Sequence, residues 1–238
     1  MYKNKKIIAI IPARKGSKRL INKNIRSLNY KPLIEWTIKT ALASKFLDKI
    51  FVSTDSKKIR DISINLGLET PFMRPRNLSG DKSPTWELII DTLDKFRKKG
   101  ENFDYVALLE PTSPLRKKND IDMAVKKIIN NLSAETLISL GKIHLEHPLI
   151  VKKISSNQFV KPYANFKKKI FQSQQFDNAY FPYGVIYISK VTSFYKKKNF
   201  YTNKTIPYFI ERWQNYEIDD FLDLKIIDKI MQHMRIKI

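Results

Sequence analysis

An α/β fold, with helices on both faces of a mostly parallel sheet, is what this sequence predicts. Two observations carry the prediction. Short continuous apolar runs recur along the chain, as they do in strands buried on both faces. Amphipathic segments separate those runs, and such alternation builds right-handed βαβ units. The length of 238 residues, 42% of them hydrophobic, suffices for one sizeable packed domain and is too apolar for a disordered chain.

The elements follow in order. Residues 6–11, Lys-Ile-Ile-Ala-Ile-Ile, are the first predicted strand. The run is too short for an export signal and enters a Pro-Ala-Arg loop, so a cytoplasmic protein is expected. Residues 32–43 carry Leu33, Ile34, Trp36, Ile38, Ala41 and Leu42 behind a proline suited to a helix start. A second strand, 49–53, leads through Thr54-Asp55 to a helix at 57–66 that Gly67 stops. Helix 84–99 sets Trp86, Ile89, Ile90, Leu93 and Phe96 on one side and ends at Gly100. Strand 105–109, helix 120–131 and strand 135–140 complete the regular part. Residues 142–178 are irregular and interrupted by Pro148 and Pro162, which predicts an excursion from the sheet within a single domain spanning 1–238. A strand at 183–189 and a helix at 222–234, capped by Asp219 or Asp220, close the chain. The lysine runs 167–169 and 196–198 are expected to form solvated faces.

Composition narrows function only a little. Lys and Arg number 45 against 23 Asp and Glu, a formal charge of +22. Such an excess suits nucleic acid, a membrane surface or small anionic substrates, and AT-rich coding of Lys, Ile and Asn produces it too. No apolar run has the length of a membrane span. The absence of cysteine excludes disulfides, thiolate nucleophiles and cysteine-based zinc sites.

In open parallel sheets ligands bind beyond the carboxyl ends of the strands. That directs attention to the loops 13–24 and 110–116. The first places Arg14, Lys15, Lys18, Arg19 and Lys23 close together directly after a buried strand. Gly16 permits a tight turn, and Ser17 with backbone N–H groups can line a phosphate nest. Arg grips phosphate with a planar fork, while Lys supplies a mobile point charge. Neither a Walker A loop nor a Gly-x-Gly-x-x-Gly turn is present. A phosphate site and a solvated basic loop both remain open on these residues alone.

Ile10-Ile11-Pro12-Ala13-Arg14-x-Gly16-Ser17-Lys18, Lys23-Asn24-Ile25 and Lys31-Pro32-Leu33-Ile34 resemble the opening of the acylneuraminate (CMP-sialic acid and nonulosonic acid) cytidylyltransferases. The resemblance continues through Val52-Ser53-Thr54-Asp55, Arg74-Pro75 with Leu78 and Asp81, and Pro111-Thr112-Ser113-Pro114-Leu115-Arg116. It resumes at Tyr180, Gly184-Val185-Ile186-Tyr187 and Glu217-Ile218-Asp219, and so covers most of the chain in order.

The resemblance implies a Rossmann-like three-layer α/β/α sandwich, similar to nucleotide-diphospho-sugar transferases, with a small dimerisation arm at 142–178. It implies transfer of CMP from CTP to the anomeric hydroxyl of a nine-carbon acidic sugar, with pyrophosphate released. Pro12, Ala13, Arg14, Lys18, Asn24, Arg74, Thr85, Pro111 and Thr112 would hold the nucleotide. Lys23 would stabilise charge at the α-phosphate. Glu217 and Asp219, two apart on an extended segment, face one way and would hold Mg²⁺ or Mn²⁺, with Asp219 also catalytic. Glu110, Tyr180, Phe200 and Tyr201 would line the sugar site. CTP and an acidic sugar are the expected partners of a homodimer, with no nucleic acid and no membrane.

Four departures from the family pattern matter. Glu110 stands where Gln is usual, Glu217 where Asp is usual, Tyr183 where Asn is common, and Ile21-Asn22 where Pro-Gly is frequent. The first three concern sugar or metal, so sialic, legionaminic and pseudaminic acids all remain candidate substrates. An enzyme for the eight-carbon acid Kdo fits less well, since Lys23-Asn24 and Pro111-Thr112-Ser113-Pro114 look more like the sialic acid branch. A nucleic-acid-binding protein would need a recognition motif that the sequence lacks. His144 and His147, with Glu146, are spaced by one helical turn, but in a poorly helical segment, so no metal site is expected there, and His233 sits near a helix C-terminus, where a cation is favoured anyway.

Overall fold

The first apolar run becomes β1 (Ile7–Pro12), buried at every residue except Pro12. The structure, a computed structural model, describes residues 1–163 and 177–236. A small hairpin of β2 (Ser27–Leu28) and β3 (Lys31–Pro32) leads into α1 (Leu33–Leu42), with Pro32 at its N-cap. β4 (Lys49–Ser53) precedes α2 (Lys57–Asn65), whose first turn is capped by the Ser56 hydroxyl accepting from the Ile59 N–H. α3 (Thr85–Lys98), β5 (Tyr105–Leu108), α4 (Asp120–Asn130) and β6 (Thr136–Lys142) match the predicted elements within a residue or two. β7 (Lys152–Ile154) and β8 (Val160–Pro162) pair as an exposed hairpin inside the predicted excursion, part of which, with the lysine run 167–169, lies outside the described residues. β9 (Tyr180–Lys190), α5 (Val191–Lys197), β10 (Thr205–Phe209) and α6 (Phe221–His233) complete the chain.

The main sheet has the order β10-β6-β9-β5-β1-β4. β4, β1 and β5 run parallel to one another, as do β6 and β10, and β9 lies antiparallel between β5 and β6. Period-two alternation in β1 generates the three layers. Ile7, Ala9 and Ile11 pack with Ile34 and Ile38 of α1, Ile59 of α2 and Val125 and Ile128 of α4. Ile8 and Ile10 face the other way, onto Ile89, Leu93 and Phe96 of α3 and Phe194 of α5. Each buried Ile, Leu, Val or Phe side chain among these contributes about 1.5–3 kcal/mol. A satellite cluster ties Trp36 of α1 and Leu115 to Ile218 and to Ile227 and Met231 of α6.

Two features set up the site. β9 is antiparallel, so its first residues extend past the carboxyl end of β5 while still pairing with the end of β6, and the Glu110 N–H donates to the Gly184 carbonyl. The cap of α6 is Asp220, in a reciprocal box with Asp223, which leaves the Asp219 carboxylate outside the helix. β10 and α5 were not expected. β10 is an edge strand with Pro207 at its centre, tolerated there because an edge leaves some N–H groups unpaired, and α5 is short with a β-branched start.

Candidate active site

The loop after β1 is anchored before it opens. The Ala13 N–H donates to the Ser53 carbonyl at 2.9 Å, the Lys15 N–H to Asp55 at 2.7 Å, and the Asn24 amide to the Arg14 carbonyl at 3.1 Å. Its cations fall into two groups. Arg14 and Lys18 both reach Asp81 at 2.6 Å, and their hydrogen bonds, Lys18 first, hold the Asp81 carboxyl below the usual range. Arg19 and Lys23 converge on Asp219 instead, at 2.5 and 3.3 Å. Lys23 begins a 3₁₀ turn, Lys23–Ile25, directly after Asn22 in a left-handed backbone conformation. Its side chain is 14% exposed, and its ammonium also donates to the Ile218 carbonyl at 2.8 Å. A second chain segment is thereby fixed against the loop, and the Ile218 N–H in turn donates to the Thr112 carbonyl at 2.8 Å.

Pro12, Ala13, Arg14, Lys18, Lys23 and Asn24 therefore lie on one loop, and Pro111, Thr112 and Asp219 flank it. Arg74 is more deeply set than a surface turn would make it. Its guanidinium donates to the Ser53 hydroxyl and carbonyl, and burial lowers its pKa to about 10, still a cation at neutral pH. Asp55 opposes that lowering, while Arg14 adds to it.

Beside the loop lies a cleft of about 270 Å³ whose walls include Glu110, Thr85, Trp86, Tyr187, Phe200 and Tyr201. The Phe200 ring lies 5.6 Å from that of Tyr187 and 4.9 Å from that of Phe194. Burial raises the phenol pKa values of both Tyr187 and Tyr201, so both stay hydroxyls. Burial first, then the charge of Glu217, pushes the Glu110 carboxyl up to about 7, against opposing pulls from Arg116, Thr112 and Lys23.

The backbone beneath Glu110 is fixed by Arg116. This fully buried guanidinium donates to the carbonyls of Val185 and Glu110 at 2.6 Å and of Gly184 at 2.8 Å, and to the Thr37 hydroxyl at 2.9 Å. Burial lowers its pKa to about 10, and the carboxylates of Asp120, Glu110 and Glu217 oppose the fall. Gly184 lets the strands approach. A Cβ there would sit 2.6 Å from the Glu110 Oε2 and 2.8 Å from the Ser113 hydroxyl.

Glu217 and Asp219 divide their tasks. Ile218 is buried between them, as expected for alternate residues of an extended segment. One Glu217 oxygen accepts from the Ser113 hydroxyl at 2.7 Å and from the Gly184 N–H at 2.5 Å, while the Asp219 side chain is 60% exposed beside Lys23. No group of three or more His, Cys, Asp or Glu among the described residues forms a metal cage. Carboxylates beside a basic loop are nonetheless a donor type that Mg²⁺ accepts when phosphates and water supply the remaining ligands.

Three side chains take positions that sequence spacing does not give. Tyr180, expected at the sugar site, is not among the residues that line this cleft; its ring packs at 5.0 Å on Phe209, and Tyr187 joins Tyr201 in the cleft. Tyr183 packs on Phe181 and lines a neighbouring cavity of about 510 Å³ with His144, Glu146 and Arg212. Lys198, expected on a solvated face, lines the cleft with its ammonium 4.7 Å from the Trp86 ring. Arg116, Gly184 and Tyr187 stood inside the matched motifs, but their roles depend on the β5–β9 register, which sequence spacing does not give. Asp81 also stood inside a matched motif, but its pairing with Arg14 and Lys18 has no signal in local sequence.

A family model described as "Cytidylyltransferase" matches residues 8–237. The chain is 36% identical to the CMP-N,N'-diacetyllegionaminic acid synthase of Legionella pneumophila over 228 residues, covering 95% of this chain and 97% of that one. It is 30% identical to an N-acylneuraminate cytidylyltransferase of Escherichia coli, over 95% of this chain and 52% of that longer protein. Among solved structures, a CMP:2-keto-3-deoxy-manno-octonic acid synthetase complexed with CTP superposes with a TM-score of 0.71 over 96% of this chain and 99% of that one. Its 16% identity speaks for the fold alone. With the three-layer fold, a basic loop after β1 and the matched sequence all in agreement, this chain belongs to the cytidylyltransferase family.

Proposed function

We propose that the protein joins CMP from CTP to the anomeric hydroxyl of a nine-carbon acidic sugar of the legionaminic, sialic or pseudaminic type, releasing pyrophosphate. The observation that carries this reading is the position of Lys23. It belongs to the basic loop, its charge acts on the Glu110 carboxyl, and its ammonium is tied to the segment bearing Glu217 and Asp219.

The loop and the cleft divide the reaction between them. Arg14 and Lys18 exchange Asp81 for the triphosphate when CTP arrives, and Asn24 keeps the loop closed on its own backbone. Arg74, with Pro12, Ala13, Pro111 and Thr112, frames the nucleotide, and Thr85, which lines the cleft, completes that set. The anomeric hydroxyl attacks the α-phosphorus, and the bond to pyrophosphate breaks. Lys23 neutralises charge that develops on the α-phosphate, a preorganised contribution that needs no reorganisation during the step. Phe200, Tyr201 and Tyr187 form a wall for the sugar's apolar groups, while Glu110 meets its polar ones.

Glu217 and Asp219 would hold a divalent cation, Mg²⁺ or Mn²⁺, which offsets phosphate charge when bound. The excursion 142–178 is the proposed dimerisation arm, supported by the exposed apolar residues Ile154, Phe159 and Val160 on its hairpin. A cytoplasmic setting agrees with the use of CTP. No helix among the described residues is long and apolar enough to cross a membrane.

The test is incubation with CTP, Mg²⁺ and a panel of nine-carbon acids plus the eight-carbon acid Kdo, following pyrophosphate release. Turnover with a nine-carbon acid is expected. Turnover with Kdo alone would reassign the substrate, and silence with every sugar would remove the enzymatic reading.

A further inference from the structure

We infer that Lys198 binds the carboxylate of the sugar and so sets how the sugar enters the cleft; this rests on the cleft being the sugar half of the site. The cleft presents an electrostatic problem. Its substrate class is anionic, yet it contains the Glu110 carboxyl, with Glu217 close by on the other side of Gly184. A carboxylate brought between aromatic walls beside other carboxyls is repelled unless a cation accompanies it. Among the described residues that line the cleft, Lys198 is the one Lys or Arg. Lys23 approaches from the nucleotide side, where the Ile218 carbonyl and Asp219 already engage it.

Lys198 is also held in position. It is the C-cap of α5, in a left-handed conformation with φ 52° and ψ 31°, and its N–H closes the helix on the Phe194 carbonyl at 2.8 Å. Glycine or asparagine suits that backbone better, so a lysine there offers something other than chain geometry. The negative end of the helix favours a cation, and the Trp86 face attracts the ammonium without accepting a conventional hydrogen bond. The ammonium therefore sits at the rim with donors left for an incoming carboxylate. In 2-keto acids of this class the carboxylate is attached to the carbon that bears the attacking hydroxyl. Fixing the one restricts the orientation of the other, which makes Lys198 a positioning residue as well as a source of affinity.

The experiment pairs a change in the protein with a change in the substrate. Lys198→Met keeps the stem that covers Trp86 and removes the charge; Lys198→Arg keeps the charge. A charge-assisted hydrogen bond corresponds to about a tenfold effect or more. Lys198→Met is expected to lower kcat/KM for the sugar about tenfold while KM for CTP stays within about twofold, and Lys198→Arg to recover most of the loss. The decisive arm compares the acid with its neutral C1 carboxamide as competitors of the wild type and of Lys198→Met. The wild type should prefer the acid, and Lys198→Met should lose that preference. An undiminished preference in Lys198→Met overturns the assignment and leaves the functional reading intact. A wild type inert with every acid overturns both. Melting temperature and CTP affinity, read on the same preparations, separate loss of charge from loss of fold.

Discussion

The loop after β1 carries five cations between positions 14 and 23 and steadies four of them by ion pairs to Asp81 and Asp219, whereas the adjoining cleft draws its walls from β5, α3, β9 and the loop after α5 and rests on buried bonds. Each arrangement suits its task. Exposed ion pairs such as those to Asp81 are individually weak, so under the proposed function Arg14 and Lys18 can be handed to phosphates with little loss. A buried frame such as Arg116 under Glu110 cannot rearrange cheaply, because the guanidinium would give up four hydrogen bonds at once and leave its own donors buried without partners. Nucleotide binding is thus expected to tolerate substitution at the loop's counter-charges, while sugar recognition should respond sharply to small changes of shape.

The largest expected effect lies where the halves meet. Lys23→Ala should lower kcat by about 10²–10³, the range for removing one preorganised charge-stabilising group, with CTP affinity much less affected. Single-turnover kinetics beside equilibrium CTP binding would check this, and equal losses in both would make Lys23 a simple binding residue. Next is the pH response of Glu110. Its folded pKa of about 7 lies above the ordinary 4.5, so its contribution to stability is complete below about 4.5 and is lost as pH rises through about 7. The loss is at most about 3 kcal/mol. In metal-free buffer, urea denaturation should show Glu110→Gln gaining on the wild type between pH 5 and 8, and a constant difference would mean that Glu110 is not desolvated.

A smaller effect distinguishes the two tyrosines. Tyr187→Ala should raise KM for the sugar about tenfold and Tyr180→Ala hardly at all, since only Tyr187 lines the cleft. The reverse outcome would return the sugar site to the place the sequence assigned. Last, Asp81→Asn removes the carboxylate that competes with phosphate for Arg14 and Lys18, and should tighten CTP binding by about threefold in calorimetry. Weaker binding would show that Asp81 preorganises the loop instead of holding its cations in reserve.

This contrast also explains what the sequence made legible. The loop is contiguous and follows a strand whose apolar run is unmistakable, so its residues could be named together from spacing and family likeness. The sheet was readable for the same reason, because β1 and β5 are continuous apolar runs and β4 and β6 carry shorter ones. The cleft depends on the register that sets Leu108 against Tyr187 and Glu110 beside Gly184, and register across distant strands leaves no mark in local sequence. Tyr180 and Tyr187 are equivalent as letters; only the pairing of β9 decides between them. Lys198 shows the same limit. A run of three lysines reads as a solvated face, and the left-handed cap that turns the last of them toward Trp86 becomes visible only in three dimensions.

The central claim concerns which bond forms. A nine-carbon acid labelled with ¹⁸O at its anomeric hydroxyl, turned over with CTP and Mg²⁺, gives a CMP-sugar whose bridging oxygen can be examined by ³¹P NMR. Attack by the sugar on the α-phosphorus predicts that the label is retained between phosphorus and the anomeric carbon. A CMP-sugar without the label, or pyrophosphate release that yields free CMP and no CMP-sugar, would contradict the account.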